Sequence, residues 1–464
     1  MPRNRIHSQL EGVFVGPAPA SGFHFIDVFG NLNNEYGSGN NYNLVVPINR
    51  VNSCGYDITL NRATLQGFGK RGYVSRPILD PPEVNLNFSY WQMGVINEYR
   101  LGFYVNYQQL EASVETQPIF PDNFQVCVIS GFINREFEPA TNSLNWPYTY
   151  RDKRNIFVMV APDGQDLNNP TTGQSKSSGT VLAFGNCYIN SYQASAAVNG
   201  FPQAAVSYTC ENVCVYSSGS GIPIPAIDPK TRSGILNKKA EIPQTYQGNT
   251  PSVLLPGDIT VDVSGLAAQS NILAVQGTGL YVHGSPNVVR LGLPSFNDVA
   301  IQSYDINMPL ARESLRDIQY KLPVDRQINF PVPVNLNISA LVKDFGTGSL
   351  EAFLNHDDDY NITIKLRNPH NAPTGGIGVQ YDFLRAKLIS VDSSLNIGSN
   401  RAINASFVTE IDPADYSRGF FMSGQLNVSR PTDLSSYLIM EEDSSRILQE
   451  DNSLIVLHEI AFFV

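Results

Sequence analysis

Along most of the chain, hydrophobic and polar residues alternate. Val84, Leu86, Phe88 and Tyr90 are interleaved with Asn85, Asn87 and Ser89, and Val334, Leu336 and Ile338 with Asn335, Asn337 and Ser339. A period of two places one set on the core face of a strand and the other on its wet face. The same reading gives strands at 12–15, 56–60, 124–129, 156–161, 181–183, 205–209, 259–263, 362–366, 402–408 and 454–463, separated by Gly, Pro, Asn and Asp clusters with turn chemistry. Helical periodicity is rare. Residues 309–319 predict two helical turns with Pro309 at the tolerated first position, and 435–449 predict a second short helix. The expected fold class is mainly β, with one or two short helices flanking β-sandwich or barrel-forming sheets.

The alternating segments recur in order. Tyr56-Asp57-Ile58 reappears as Tyr304-Asp305-Ile306, 248 residues later. Pro81-Pro-Glu-Val-Asn-Leu-Asn-Phe-Ser89 reappears as Pro331-Val-Pro-Val-Asn-Leu-Asn-Ile-Ser339, and Val74-Ser-Arg-Pro-Ile78 as Val324-Asp-Arg-Gln-Ile328, both 250 residues later. Gly12-Val-Phe-Val15 matches Gly279-Leu-Tyr-Val282, and Asn155-Ile156 matches Asn361-Ile362. The stretch 198–208 faces 397–407. Matches in one order predict two tandem copies of one β domain. The first occupies 1–215 and carries a long insertion at about 91–150. Residues 216–277 form a linker with possible short strands, and 278–464 hold the second domain and a C-terminal extension.

Composition narrows the function. Charged residues make up 16% of the chain, against roughly 25% in an average soluble domain. The net charge is −11, which disfavours tight nucleic-acid binding through clustered Lys and Arg. A hydrophobic fraction of 42% excludes disorder. No apolar run approaches the roughly 20 residues of a membrane span, and the N-terminal residues lack the apolar core of a signal peptide. Cys54, Cys127, Cys187, Cys210 and Cys214 are odd in number and confined to the first half, so they read as buried thiols made in a reducing compartment.

Motifs with chemical potential are few. Gly67-Phe-Gly69-Lys-Arg-Gly72 has nucleotide-loop spacing, but the extended Tyr-Val-Ser-Arg-Pro that follows reads as a loop rather than a helix start. His356-Asp357-Asp358-Asp359 lacks calcium-loop spacing and reads as a solvated acidic turn. Cys210 and Cys214 have no second ligand pair and read as packing residues. Trp91, Trp146, Tyr148 and Tyr150 are able to stack on sugars or to fill a core or interface. No catalytic, cofactor-binding or metal-ligating residue is assigned, and the chain is expected not to be an enzyme.

The segment Arg76-Pro-Ile-Leu-Asp-Pro-Pro-Glu-Val-Asn-Leu-Asn-Phe-Ser-Tyr90, followed by Asn97-Glu-Tyr-Arg-Leu-Gly-Phe103, resembles the central region of tail tube (major tail) proteins of tailed bacteriophages. Residues 189–208 resemble that family's closing hairpin, which ends near a Glu-Asn like Glu211-Asn212. The resemblance covers most of 11–212 and 279–411. It implies a virion protein made in the host cytoplasm, whose copies close β-barrel rings, stack into a tube and meet other tail proteins. DNA passes through the lumen without specific binding, and no membrane is involved. A ring of six tube domains with two per chain implies a homotrimer with pseudo-sixfold symmetry. The alternatives are a distal tail, baseplate or capsid decoration protein, and a carbohydrate-binding or glycan-cleaving adhesion β-sandwich.

Overall fold

In the computed structural model the described residues are 11–17, 25–26, 32–33, 42–101, 103, 106–107, 153–160, 179–227, 239–242, 254, 259–265, 299–320, 322–342, 359–367, 377–394, 402–411 and 418–424. All belong to one compact unit, Met1–Val428. Fourteen of the described strands are five residues or longer. Seven lie in the first half: β1 (Glu11–Pro17), β2 (Val51–Thr59), β3 (Glu83–Trp91), β4 (Lys153–Val160), β5 (Thr180–Ala197), β6 (Gln203–Cys210) and β7 (Asn212–Tyr216). Seven lie in the second: β8 (Ile259–Gly265), β9 (Val299–Pro309), β10 (Val332–Val342), β11 (Tyr360–Arg367), β12 (Ile377–Ser394), β13 (Ala402–Ile411) and β14 (Gly419–Gly424). The helix among the described residues is α1 (Ile96–Leu101). The mainly β fold class therefore holds.

Both halves follow one pairing scheme, and every pair in it is antiparallel. In the first half β2 pairs with β3, β3 with β6 and β6 with β5. In the second, β9 pairs with β10, β10 with β13 and β13 with β12. The 18-residue strands β5 and β12 each serve two layers. Their C-terminal parts complete these four-stranded arrays. Their N-terminal parts pair with β4 and β7, and with β11 and β14, while β1 adds to β4 and β8 to β11. The breaks in register recur at matching places: between Val51 and Ser53 and between Ile301 and Ser303, between Ile189 and Ser191 and between Leu388 and Ser390, and between Arg154 and Ile156 and between Tyr360 and Ile362.

This scheme corrects two matches read from the sequence. Tyr56 faces Leu86, whereas Tyr304 faces Ile338 and it is Ile306 that faces Leu336. The Tyr-Asp-Ile identity is thus two positions out of register, a slip that keeps the face and so escapes a period-two pattern. The strand standing to β11 as β1 stands to β4 is β8, inside the expected linker, while 279–282 lie outside the described residues.

The helix expected at 309–319 is not formed. Pro309 ends β9, and Arg312–Leu315 is a short strand paired with Asp325–Ile328. Long-range bonds outweigh the weak local propensity: Leu310 N–H donates to the Asn190 carbonyl (2.7 Å) and Arg312 Nε to the Ile189 carbonyl (2.8 Å). The strands expected at 124–129 and 454–463 and the helix at 435–449 lie outside the described residues.

The alternation does what it predicts. Val84, Leu86, Phe88, Val334, Leu336 and Ile338 are buried in one hydrophobic cluster that runs through both halves. Gly185 is required by a close approach: a Cβ there would sit 2.2 Å from the Pro225 carbonyl oxygen.

Candidate assembly surface

The array β2-β3-β6-β5 and the array β9-β10-β13-β12 are joined edge to edge. Ser191 faces Pro309, Gln193 faces Asn307 and Ser195 faces Asp305 across an antiparallel β5·β9 seam. The result is one continuous wall of eight strands, in the order β2-β3-β6-β5-β9-β10-β13-β12.

One face of the wall is packed against the core; the other is polar. Cross-strand rows on the polar face read Gly55–Asn87–Ser207–Ser191, Ser53–Ser89–Ala205–Gln193–Asn307–Asn335–Val408–Lys387, Trp91–Gln203–Ser195–Asp305–Asn337–Ser406–Ser390, and Ser303–Ser339–Asn404–Asp392. These rows contain one cation, Lys387 at the β12 edge, which is ion-paired with Asp359; their carboxylates are Asp305 and Asp392. Short side chains bond to one another across the strands: Ser191 to Ser207 at 2.7 Å, Ser406 to Asn337 at 2.8 Å, Asn85 to Asp57 at 3.2 Å. Partial burial raises the Asp305 pKa, against the opposing pull of its bond to Asn337. Such a face presents mainly hydroxyl and amide groups, and its one cation is already held by a carboxylate, so it offers little cationic grip to a phosphate.

The seam is locked beyond its ladder. Arg312 donates to Ile189 as above, donates through Nη1 to the Arg326 carbonyl (2.9 Å), and lies 5.3 Å from the Tyr188 ring centroid. The wall's two ends have no such cover among the described residues. β2 pairs there with β3 alone, and Lys387–Ser394 of β12 with β13 alone. Tyr56 and Ile58 are 49% and 48% exposed, whereas Ile306 and Met308, which occupy the same register positions of β9, are at 0% beneath β5.

α1 fastens the wall to the layer behind it. Asn97 accepts from Asn49 N–H and donates to Asn49 C=O, both at 2.9 Å, and Arg100 Nη1 donates to the Pro47 carbonyl at 2.7 Å. Glu98 is buried and accepts from the hydroxyls of Tyr90 (2.9 Å) and Tyr192 (3.3 Å); Tyr192 also shares a bond with Tyr381 of β12 at 2.9 Å, and Gln92 donates to Tyr381. Burial pushes the Glu98 carboxyl up to about 7, despite the tyrosine bonds that favour its charged form. This network, which ties both halves together, was missed in the sequence. Its one signal was a Gln, an Asn, a Glu and an Arg directly after a core strand.

The residues singled out in the sequence do not converge. The 67–72 glycine motif forms the turn between Leu65–Gln66 and Tyr73–Ser75, with Lys70 N–H donating to the Gly67 carbonyl (3.3 Å), so a strand rather than a helix follows. Asp359 is ion-paired with Lys387 (2.8 Å); His356, Asp357 and Asp358 lie outside the described residues, as do Trp146, Tyr148 and Tyr150. Trp91 stacks obliquely on Phe201, with centroids 6.1 Å apart. Cys187 and Cys210 are buried neighbours, and burial raises the Cys187 thiol pKa. Among the described residues no three His, Cys, Asp or Glu side chains gather as a metal site, and no helix is long and apolar enough to cross a membrane.

No family model matches the sequence, and no curated protein matches it. Solved structures similar to part of the chain include the baseplate of the anti-feeding prophage (12% identity, 29% of this chain and 92% of that one, TM-score 0.18). Others are the sheath–tube complex of an extracellular contractile injection system in its extended state (17%, 31% and 93%, TM-score 0.19) and the tube-terminating cap of the anti-feeding prophage (17%, 34% and 99%, TM-score 0.19).

Proposed function

We propose that the chain is a structural subunit of a phage-type tail tube, built from two copies of one β unit, and that three chains close a ring. The observation that carries this reading is the internal β5·β9 seam. It joins the last strand of one four-stranded array to the first strand of an array of the same scheme, and leaves a like pair of edges open at the ends of the wall. Open edges are a liability unless they are paired, and closure into a barrel removes them. A head-to-tail contact that repeats with rotation generates a ring. With two arrays per chain, six arrays need three chains, which makes the ring threefold overall and nearly sixfold at the wall.

In this reading the first unit begins with β1 and ends with β7, and the second begins with β8, earlier than the sequence matches placed it. The polar face, poor in cations, lines the lumen, where DNA phosphates slide rather than stick. Rings stack, other tail proteins cap the stack, and the protein resides in the virion tail. No catalysis is involved. Electron microscopy of purified full-length protein tests the proposal. Hollow rings or tubes with a polar lumen are expected; dispersed particles under all assembly conditions would contradict it.

A further inference from the structure

The inner seam is a template for an outer one. Resting on the tube reading above, we propose that the open edge of β12 receives β2 of a second copy of this chain, in the register that β5 and β9 use within one copy. Carrying the internal pairs across by matching register positions sets Ser390 against Thr59, Asp392 against Asp57 and Ser394 against Gly55.

Three observations support this occupant. The β2 side chains left half-bare, Tyr56 and Ile58, stand where Ile306 and Met308 are sealed by β5. On the opposite edge Ile389 is 61% exposed. The anchoring arginine is already set: Arg62 is bridged to Ile78 and donates through Nη1 to the Arg76 carbonyl (3.1 Å), the posture Arg312 holds between Ile328 and the Arg326 carbonyl. In the second copy its partner is the Leu388 carbonyl, as Ile189 is for Arg312.

The two seams differ in charge. Inside the chain, Gln193 donates to Asn307 at 3.5 Å. Between chains the same position sets Asp392 against Asp57, and like charges directly opposite weaken a strand pair. The groups facing Asp57 within its own chain are Asn85 and Thr59, with Glu83 beside them on β3; those around Asp392 are Asn404, Ser390 and Ser394. None is a cation. The outer seam is therefore the weaker of the two at low salt, and salt that screens the facing carboxylates favours ring closure.

Two measurements on the full chain test this. An Asp57→Cys, Asp392→Cys protein, oxidised after ring assembly, is expected to give disulfide-linked chains; the pair Asp57→Cys, Ser390→Cys, displaced by two, is not. Intact rings without the first cross-link, or with only the second, overturn the register and leave the tube reading standing; no rings from the native chain at any pH overturns the tube reading itself. Separately, at low salt Asp57→Asn is expected to raise the fraction of protein in rings about threefold over the native chain. Added salt is expected to narrow that difference. An equal ring fraction in both proteins at low salt overturns the role of the facing carboxylates.

Discussion

Asn186 and Arg385 hold the same left-handed backbone, φ 50° and 51°, at the same point of the two 18-residue strands. Each lies where two residues oppose one on the neighbouring strand, and each N–H donates to the side-chain oxygen of that single residue. Asn186 bonds to Asn155 at 3.4 Å, and Arg385 to Asn361 at 3.0 Å. The sequence match Asn155-Ile156 with Asn361-Ile362 thus has a cause: an amide oxygen must receive the backbone donor that a bulge frees from the ladder. The bulge in turn lets β5 and β12 leave one layer and enter the other.

The bulge predicts an asymmetric response to substitution. Asn361→Ala removes the acceptor and is expected to cost about 1 kcal/mol in denaturant unfolding. Arg385→Gly relieves a left-handed side-chain residue and is expected to be neutral or stabilising by up to about 1 kcal/mol. A marked loss of stability in Arg385→Gly would show that the residue is not strained there.

Core register gives a second prediction. Leu86 and Leu336 lie fully buried at matching positions of β3 and β10. Leu86→Ala and Leu336→Ala should each lower stability by roughly 2–5 kcal/mol, whereas Asn87→Ala and Asn337→Ala on the polar face should cost far less. Equal effects on both faces, measured by chemical denaturation, would contradict the inside-outside assignment.

Glu98 sets a pH dependence. Its folded-state pKa, about 7, lies above the ordinary 4.5. Below 4.5 the carboxyl is neutral in both states and burial goes unopposed. Between 4.5 and 7 the unfolded chain ionises first, so stability falls as pH rises, and above 7 the loss is complete. Glu98→Gln keeps a neutral acceptor for Tyr90 and Tyr192. It is expected to remove that slope and to be more stable than the native protein at pH 8 by roughly 3 kcal/mol. An unchanged slope would mean that another group carries it.

What was legible in the sequence follows from the range of the interactions. Strands such as β3 and β10 declare themselves because each has one buried and one wet face. β2 was readable for the same reason, although its apolar face lies half open. The segment 309–319 misled because Leu310, Leu315 and Ile318 carry helix-like spacing, while the bonds that set its path reach back to Ile189 and Asn190. α1 is too short for periodicity to show, and its Asn97, Glu98 and Arg100 are fixed by partners at Asn49, Tyr90, Tyr192 and Pro47. The seam was invisible, since neither Gln193 nor Asn307 is unusual in a polar strand face.

The most direct measurement of the central claim is the mass of a single ring, taken by native mass spectrometry on assembled full-length protein. Two β units per chain and one outer seam per chain predict three chains per ring, with sixfold-like density at the wall and threefold density outside it. A ring of six chains would place one unit of each chain away from the wall, and a particle that stays monomeric or dimeric under assembly conditions would contradict the tube altogether.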